Sequence, residues 1–174
     1  MELQRILIVD DYPSNLAVLR AGLESEGLEV LQAANGVQAL ALLEREPVDA
    51  VISDILMPEM DGFRLCHEIR KSGEAYGSLP FILYTATYNS PSDRSLAATV
   101  GANDYIVKPA PISVIMQALE KARLQAPLAG GAAERPADSY VLEQYSAALV
   151  RKLEERNTDL QQALLTLQVA HQQI

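Results

Sequence analysis

Short apolar runs alternate with amphipathic stretches from residue 5 to about 124. The runs are Ile6-Leu7-Ile8-Val9, Leu28 to Ala33, Val48 to Ser53, Phe81-Ile82-Leu83-Tyr84 and Tyr105-Ile106-Val107. Each spans only a few residues and is rich in β-branched or aromatic side chains, which predicts strands. Nearly unbroken apolarity in most of them implies burial on both faces, as in a parallel sheet covered by helices.

The stretches between the runs carry helix signals. Pro13 opens the first, with Leu16, Leu19 and Leu23 on one face. Gly36 precedes the second, whose Val37, Leu40 and Leu43 are expected to face inward. The third carries Phe63, Cys66 and Ile69 at three-residue spacing. Ser90-Pro91-Ser92-Asp93 reads as a capping box with proline at the first helical position of the fourth. The fifth follows Pro111, with Ile112, Ile115 and Leu119 inward. Repeated βα units in one sheet require right-handed crossovers, so residues 1–124 are expected to form a doubly wound α/β domain.

Residues 125–139 break the pattern with two prolines, adjacent glycines and small side chains, as a linker does. Residues 140–174 hold no proline or glycine. Ser146, Leu153, Leu160, Leu167 and Ile174 fall at heptad position a, with Leu142, Leu149, Arg156, Ala163 and Ala170 at d. That predicts a long coiled-coil helix and a parallel homodimer, with Ser146 and Arg156 as weak points of the seam. The sequence ends at Ile174 with no capping or stop signal, so an output domain is expected beyond it.

Composition narrows the class. The chain has 174 residues, 49% of them hydrophobic, enough for a core without disulfides or structural metal. One cysteine, Cys66, suits a reducing compartment, and its place on an apolar helix face marks it as core. No leader pattern opens the sequence and no apolar run approaches the roughly 20 residues that span a bilayer. A cytoplasmic location away from membranes is the expectation. With 14 basic and 23 acidic residues the net charge is −9, a surface that repels nucleic acid, so no direct nucleic-acid binding is expected.

In open α/β sheets ligands bind outside the carboxyl ends of the strands, so the residues that follow each run matter most. Asp10 and Asp11 follow the first and Asp54 the third; the fourth ends at Thr85, and Lys108 follows the fifth. The second contributes nothing, as befits a strand at the border. Clustered carboxylates repel unless a cation joins them, and hard oxygen ligands without nearby His or Cys favour Mg²⁺. Lysine adds a positive point suited to phosphate. Together they describe phosphoryl transfer with Asp54 as nucleophile, driven by positioning and charge neutralisation.

Leu7-Ile8-Val9-Asp10-Asp11, Asp54 through Gly62, Tyr84-Thr85-Ala86 and Tyr105-Ile106-Val107-Lys108-Pro109 resemble, in order and spacing, the motifs of response-regulator receiver domains of two-component signalling. The resemblance covers residues 5 to about 124. It implies a flavodoxin-like five-stranded sheet of order 2-1-3-4-5, and Asp54 as acceptor of a phosphoryl group from a sensor histidine kinase. It further implies Mg²⁺ held by Asp11, Asp54 and the main-chain carbonyl of Leu56, with Asp10 acting largely through water. Thr85 and Lys108 would bond phosphate oxygens. Tyr105 would turn inward as Thr85 moves, altering the face of the fourth helix, fifth strand and fifth helix. The loop holding Tyr88-Asn89-Ser90-Pro91 is one residue longer than the common spacing. Leu56 and Thr87 occupy positions that tune dephosphorylation in the family, and neither can orient a water, so a long-lived phosphoryl group is expected.

Other readings fare worse. A phosphatase of the haloacid-dehalogenase type needs an acid two residues after its nucleophile, where this chain has Leu56. A flavodoxin-like carrier needs a phosphate loop after the first strand, where Asp10-Asp11 would repel phosphate. A receiver-like docking module that is never phosphorylated would not need the intact set of acids, hydroxyl and lysine. Hence a regulatory phosphoacceptor is expected rather than an enzyme with turnover.

Overall fold

In the computed structural model, which describes residues 2–73, 75–86, 90–125 and 138–172, the apolar runs become neighbouring strands of one sheet. Its elements are β1 (Arg5–Val9), α1 (Pro13–Ser25), β2 (Glu29–Ala33), α2 (Gly36–Leu43), β3 (Ala50–Ser53), α3 (Gly62–Lys71), β4 (Phe81–Thr85), α4 (Pro91–Val100), β5 (Asp104–Val107) and α5 (Ile112–Gln125). The order is β2-β1-β3-β4-β5 and every neighbouring pair is parallel. Ile6, Leu7, Ile8, Phe81, Ile82 and Leu83 are wholly buried, which explains their unbroken apolarity. β2, at the border, buries Val30 and Ala33 and leaves Glu29 and Gln32 exposed.

Because side chains alternate across a strand, Ile6, Ile8, Ile52, Ile82 and Ile106 share one sheet face. There they pack with Leu16 and Leu23 of α1 and Ile115, Ala118 and Leu119 of α5. α1 touches α5 on this side, while α3 packs against both α2 and α4. Phe63, Cys66 and Ile69 of α3 are buried as their spacing predicts, with Leu65 beside them. Burial pushes the Cys66 thiol up to about 12, so it is inert core.

Local signals mostly act as read. Pro91 opens α4 behind a reciprocal capping box of Ser90 and Asp93, and Gly101 ends it in the left-handed region at φ 96°. The longer loop therefore leaves the start of α4 intact; Thr87, Tyr88 and Asn89 lie outside the described residues. Asp61 caps α3 by accepting from the Arg64 N–H.

Three expectations need correction. Val37 faces solvent at 47% exposure, because α2 turns Gly36 and Ala39 inward beside the expected Leu43. A Cβ on Gly36 would lie 2.7 Å from Met60 Cγ, and that close approach sets the rotation of the helix. β3 begins at Ala50 rather than Val48, since the Asp49 carboxylate turns back to accept the N–H groups of Gln4 and Arg5, both at 2.8 Å. His67, which follows Cys66 and would be expected to face solvent off the apolar side of α3, is partly buried.

The chain divides into two compact units, Met1–Arg135 and Pro136–Ile174. In the second, α6 (Asp138–Gln172) is one unbroken helix of 35 residues, about 50 Å long at 1.5 Å per residue. Its Leu142, Leu153, Leu160 and Leu167, all predicted seam positions, are more than half exposed. Most of the predicted linker, 126–137, and Ile174 lie outside the described residues. Among the described residues no helix is long and apolar enough to cross a membrane.

Candidate functional site

Parallel strands all present their carboxyl ends to the same edge, and β1, β3, β4 and β5 deliver the predicted side chains there. Ligand atoms of Asp10, Asp11 and Asp54 lie within 4.8 Å of one another. The Lys108 ammonium reaches Asp10 Oδ2 at 2.6 Å and Asp54 Oδ2 at 3.4 Å. Thr85, wholly buried at the end of β4, favours the ionised Asp54 carboxylate, whose Oδ1 accepts the Ile55 N–H at 2.7 Å. Residues from four separate strand ends thus meet at one edge of the sheet.

Each acid is held differently. Asp10, at 6% exposure, folds back to accept the Tyr12 N–H (2.9 Å) and the Asn15 side-chain amide (3.2 Å) as well as Lys108. Asp54 sits at the end of β3, where its N–H donates to the Val9 carbonyl and its own carbonyl accepts the Ser53 hydroxyl at 2.7 Å. A Cβ on Gly62 would lie 2.1 Å from the Asp54 carbonyl oxygen, so glycine at the start of α3 lets the acid-bearing loop close. Leu56 projects outward beside the acid at 46% exposure.

Burial holds the Asp54 carboxyl above the ordinary carboxylate value, opposed by Lys108, the Ile55 N–H and Thr85, and reinforced by the Asp10 charge. Asp11 is also raised, first by burial and then by Asp10, against its own backbone N–H and Lys108. Its Oδ1 is buried without a hydrogen-bond partner. A buried carboxylate oxygen left without a donor calls for a cation. Three hard oxygen ligands converging there fit Mg²⁺.

Tyr105 on β5 is 7% exposed, its ring inside the domain, and the Arg94 guanidinium of α4 lies 4.9 Å from the ring centroid. Sequence reasoning missed this arginine, as it missed Asn15 and Tyr84. Asn15 follows Asp10 by five residues, a spacing with no motif value. Tyr84 passes as an ordinary strand aromatic. His171, on α6, is exposed.

The acids, hydroxyl and lysine thus gather at the carboxyl edge of a doubly wound parallel sheet, where open α/β folds bind their ligands. Residues 6–120 match the response regulator receiver domain, and the chain belongs to that family. It is 40% identical over 105 residues to Protein PilH of Pseudomonas aeruginosa, spanning 60% of this chain and 85% of PilH. It is 38% identical over 109 residues to ycf27 of Porphyridium aerugineum, described as a probable transcriptional regulator; that match spans 63% of this chain but 43% of ycf27. Among solved structures, the chemotaxis response regulator CheY4 of Vibrio cholerae superposes with a TM-score of 0.63 at 30% identity, over 70% of this chain and 99% of CheY4. Receiver domains of this family are regulatory phosphoacceptors of two-component systems and generally bind Mg²⁺ in an acidic pocket.

Proposed function

We propose that Asp54 accepts a phosphoryl group from a phosphohistidine of a sensor histidine kinase, and that the modified domain signals through α5 and α6 to an output domain. The observation that carries this reading is the convergence of Asp10, Asp11 and Asp54 with Lys108 and the Thr85 hydroxyl. An Asp54 carboxylate oxygen attacks phosphorus in line, the P–N bond breaks, and the imidazole leaves with the electron pair. Lys108 and Thr85 each bond an oxygen of the transferred group, which supports positioning and charge neutralisation as the source of rate.

Asp11, Asp54 and the Leu56 carbonyl would hold Mg²⁺ directly and Asp10 through water. Bound there, the ion would neutralise the crowded acids and the incoming anion. The new group, at roughly −1.5 to −2 charges, draws Thr85 and so favours the inward arrangement of Tyr105. That changes the α4–β5–α5 face. The same arrangement is supported by the buried Tyr105 ring beneath Arg94.

In this reading the chain is a cytoplasmic switch without turnover of its own, without direct nucleic-acid contact, and a homodimer through α6. The exposed Leu153, Leu160 and Leu167 support the dimer. Incubation with Mg²⁺ and acetyl phosphate should add the mass of one phosphoryl group to the chain and none to Asp54→Asn. Modification of both proteins, or of neither, would overturn the assignment.

A further inference from the structure

Lysine is a compact charge on a flexible stem, and an acid pocket offers Lys108 more than one place to rest. Its position is set by a neighbour that the chemistry above does not use. Lys108 Nζ lies 5.3 Å from the centroid of the Tyr84 ring. The Tyr84 hydroxyl in turn accepts the N–H of Ala110, two residues past Lys108, at 3.2 Å. β4 and β5 are adjacent, with Tyr84 opposite Ile106 in the register, so the ring comes from the next strand rather than from the lysine's own loop.

Side chains alternate along β4, so Thr85 and Tyr84 leave it on opposite faces. Tyr84 packs against the α1/α5 side of the core. There it lines a cavity of about 350 Å³, together with Leu16, Leu19 and Ile112, whose wall also includes Asp10, Asp54 and Lys108. An aliphatic side chain could fill that space. It would offer neither an electron-rich face to an ammonium nor an acceptor to Ala110.

The geometry points to Tyr84 as a positioning residue for phosphoryl acceptance: its ring steers the Lys108 ammonium, and its hydroxyl pins the turn that carries it. This inference rests on Asp54 being the phosphoacceptor. Without the ring, only Asp54, at 3.4 Å, competes for Lys108 with Asp10, already its nearer partner at 2.6 Å. A partly desolvated cation–π contact corresponds to a factor of about 3 to 30 in an equilibrium.

The test uses the full chain with Mg²⁺ and saturating acetyl phosphate, comparing Tyr84→Leu and Tyr84→Phe in native and Lys108→Ala backgrounds. Tyr84→Leu should lower the maximal rate about 3- to 30-fold at an unchanged half-saturating Mg²⁺ concentration. By NMR the Lys108 ε-methylene signals should lose their ring-current shielding. Tyr84→Phe should keep the shielding and lose less of the rate than Tyr84→Leu, since only the bond from Ala110 is removed. In Lys108→Ala the Leu substitution should have no further effect. An equal loss in both backgrounds, a Leu variant as fast as the native chain, or shielding that is unchanged by Tyr84→Leu overturns the inference. If Tyr84→Leu fails to fold by circular dichroism, Tyr84→Ile replaces it under the same criteria. A native chain that takes up no phosphoryl group overturns the Asp54 assignment instead, before any variant is compared.

Discussion

Lys108 lies nearer to Asp10 than to Asp54, at 2.6 Å against 3.4 Å. The ammonium therefore neutralises the acid that Asn15 and the Tyr12 N–H already hold, and leaves Asp54 less well compensated. That imbalance is consistent with a raised Asp54 carboxyl. It also leaves room for a stronger anion on Asp54 to draw the lysine across.

Removing the Asp54 charge should stabilise the fold. Its carboxyl is raised in the folded state by burial, so ionisation opposes folding as pH rises through the interval between its unfolded and folded values. At neutral pH the full cost is present; below the unfolded value both states are protonated and the cost is gone. Asp54→Asn should thus melt higher by about 2–4 °C at neutral pH, roughly the effect of 1 kcal/mol in a chain of this size. The gain should fade in acid. Thermal scans across pH check this, and a gain that persists in acid contradicts it.

Leu56, two residues past Asp54 and half exposed, carries no polar group, so nothing from that position orients an attacking water. The phosphorylated chain should persist far longer than seconds at neutral pH. Leu56→Gln should shorten the lifetime, by up to about 10²-fold if the amide aligns water well. Loss of the phosphoryl mass with time measures both, and a native lifetime of seconds defeats the expectation.

Gly62 cannot accept a side chain without moving the Asp54 backbone, since a Cβ would sit 2.1 Å from the carbonyl oxygen. Gly62→Ala should cost about 1–3 kcal/mol in urea unfolding, the range for overpacking. It should also slow phosphorylation, because the displaced atoms belong to the acceptor residue. Native stability and rate in this variant would mean the loop yields freely.

Arg156 occupies a predicted d position in α6, where a charge weakens an apolar seam. If two copies pair there, Arg156→Leu should tighten the dimer at least tenfold in sedimentation equilibrium, since burying a leucine contributes about 1.5–3 kcal/mol. Cysteines at Leu153 or Leu160 should crosslink with an efficiency that changes when a phosphoryl mimic occupies Asp54. Identical crosslinking in both states rules out signalling through this packing.

Much of this protein is legible along the chain because its signals are local. Apolar runs such as Ile6 to Val9 mark buried strands, and Ser90 to Asp93 carries a complete capping box in four residues. The acids, Thr85 and Lys108 are legible because a parallel sheet presents every strand end at one edge, so position relative to each run foretells the pocket. Chain order alone could not turn Gly36 and Ala39 inward in place of Val37, since that depends on contact with Met60 from another loop.

The same limit hid the Arg70 guanidinium. It donates to the carbonyls of Gly77, Leu79 and Gly101 and to the Asn103 side chain, tying the connection after α3 to the one between α4 and β5. Amino-acid order alone determined the strands, the helix starts and the roster of charged groups, because periodicity and capping act over a few residues. Tertiary structure decided that Lys108 rests on Asp10 with Tyr84 alongside it, and that Asp11 keeps a buried oxygen without a donor. Those relations depend on distances of a few ångströms between segments that only folding brings together.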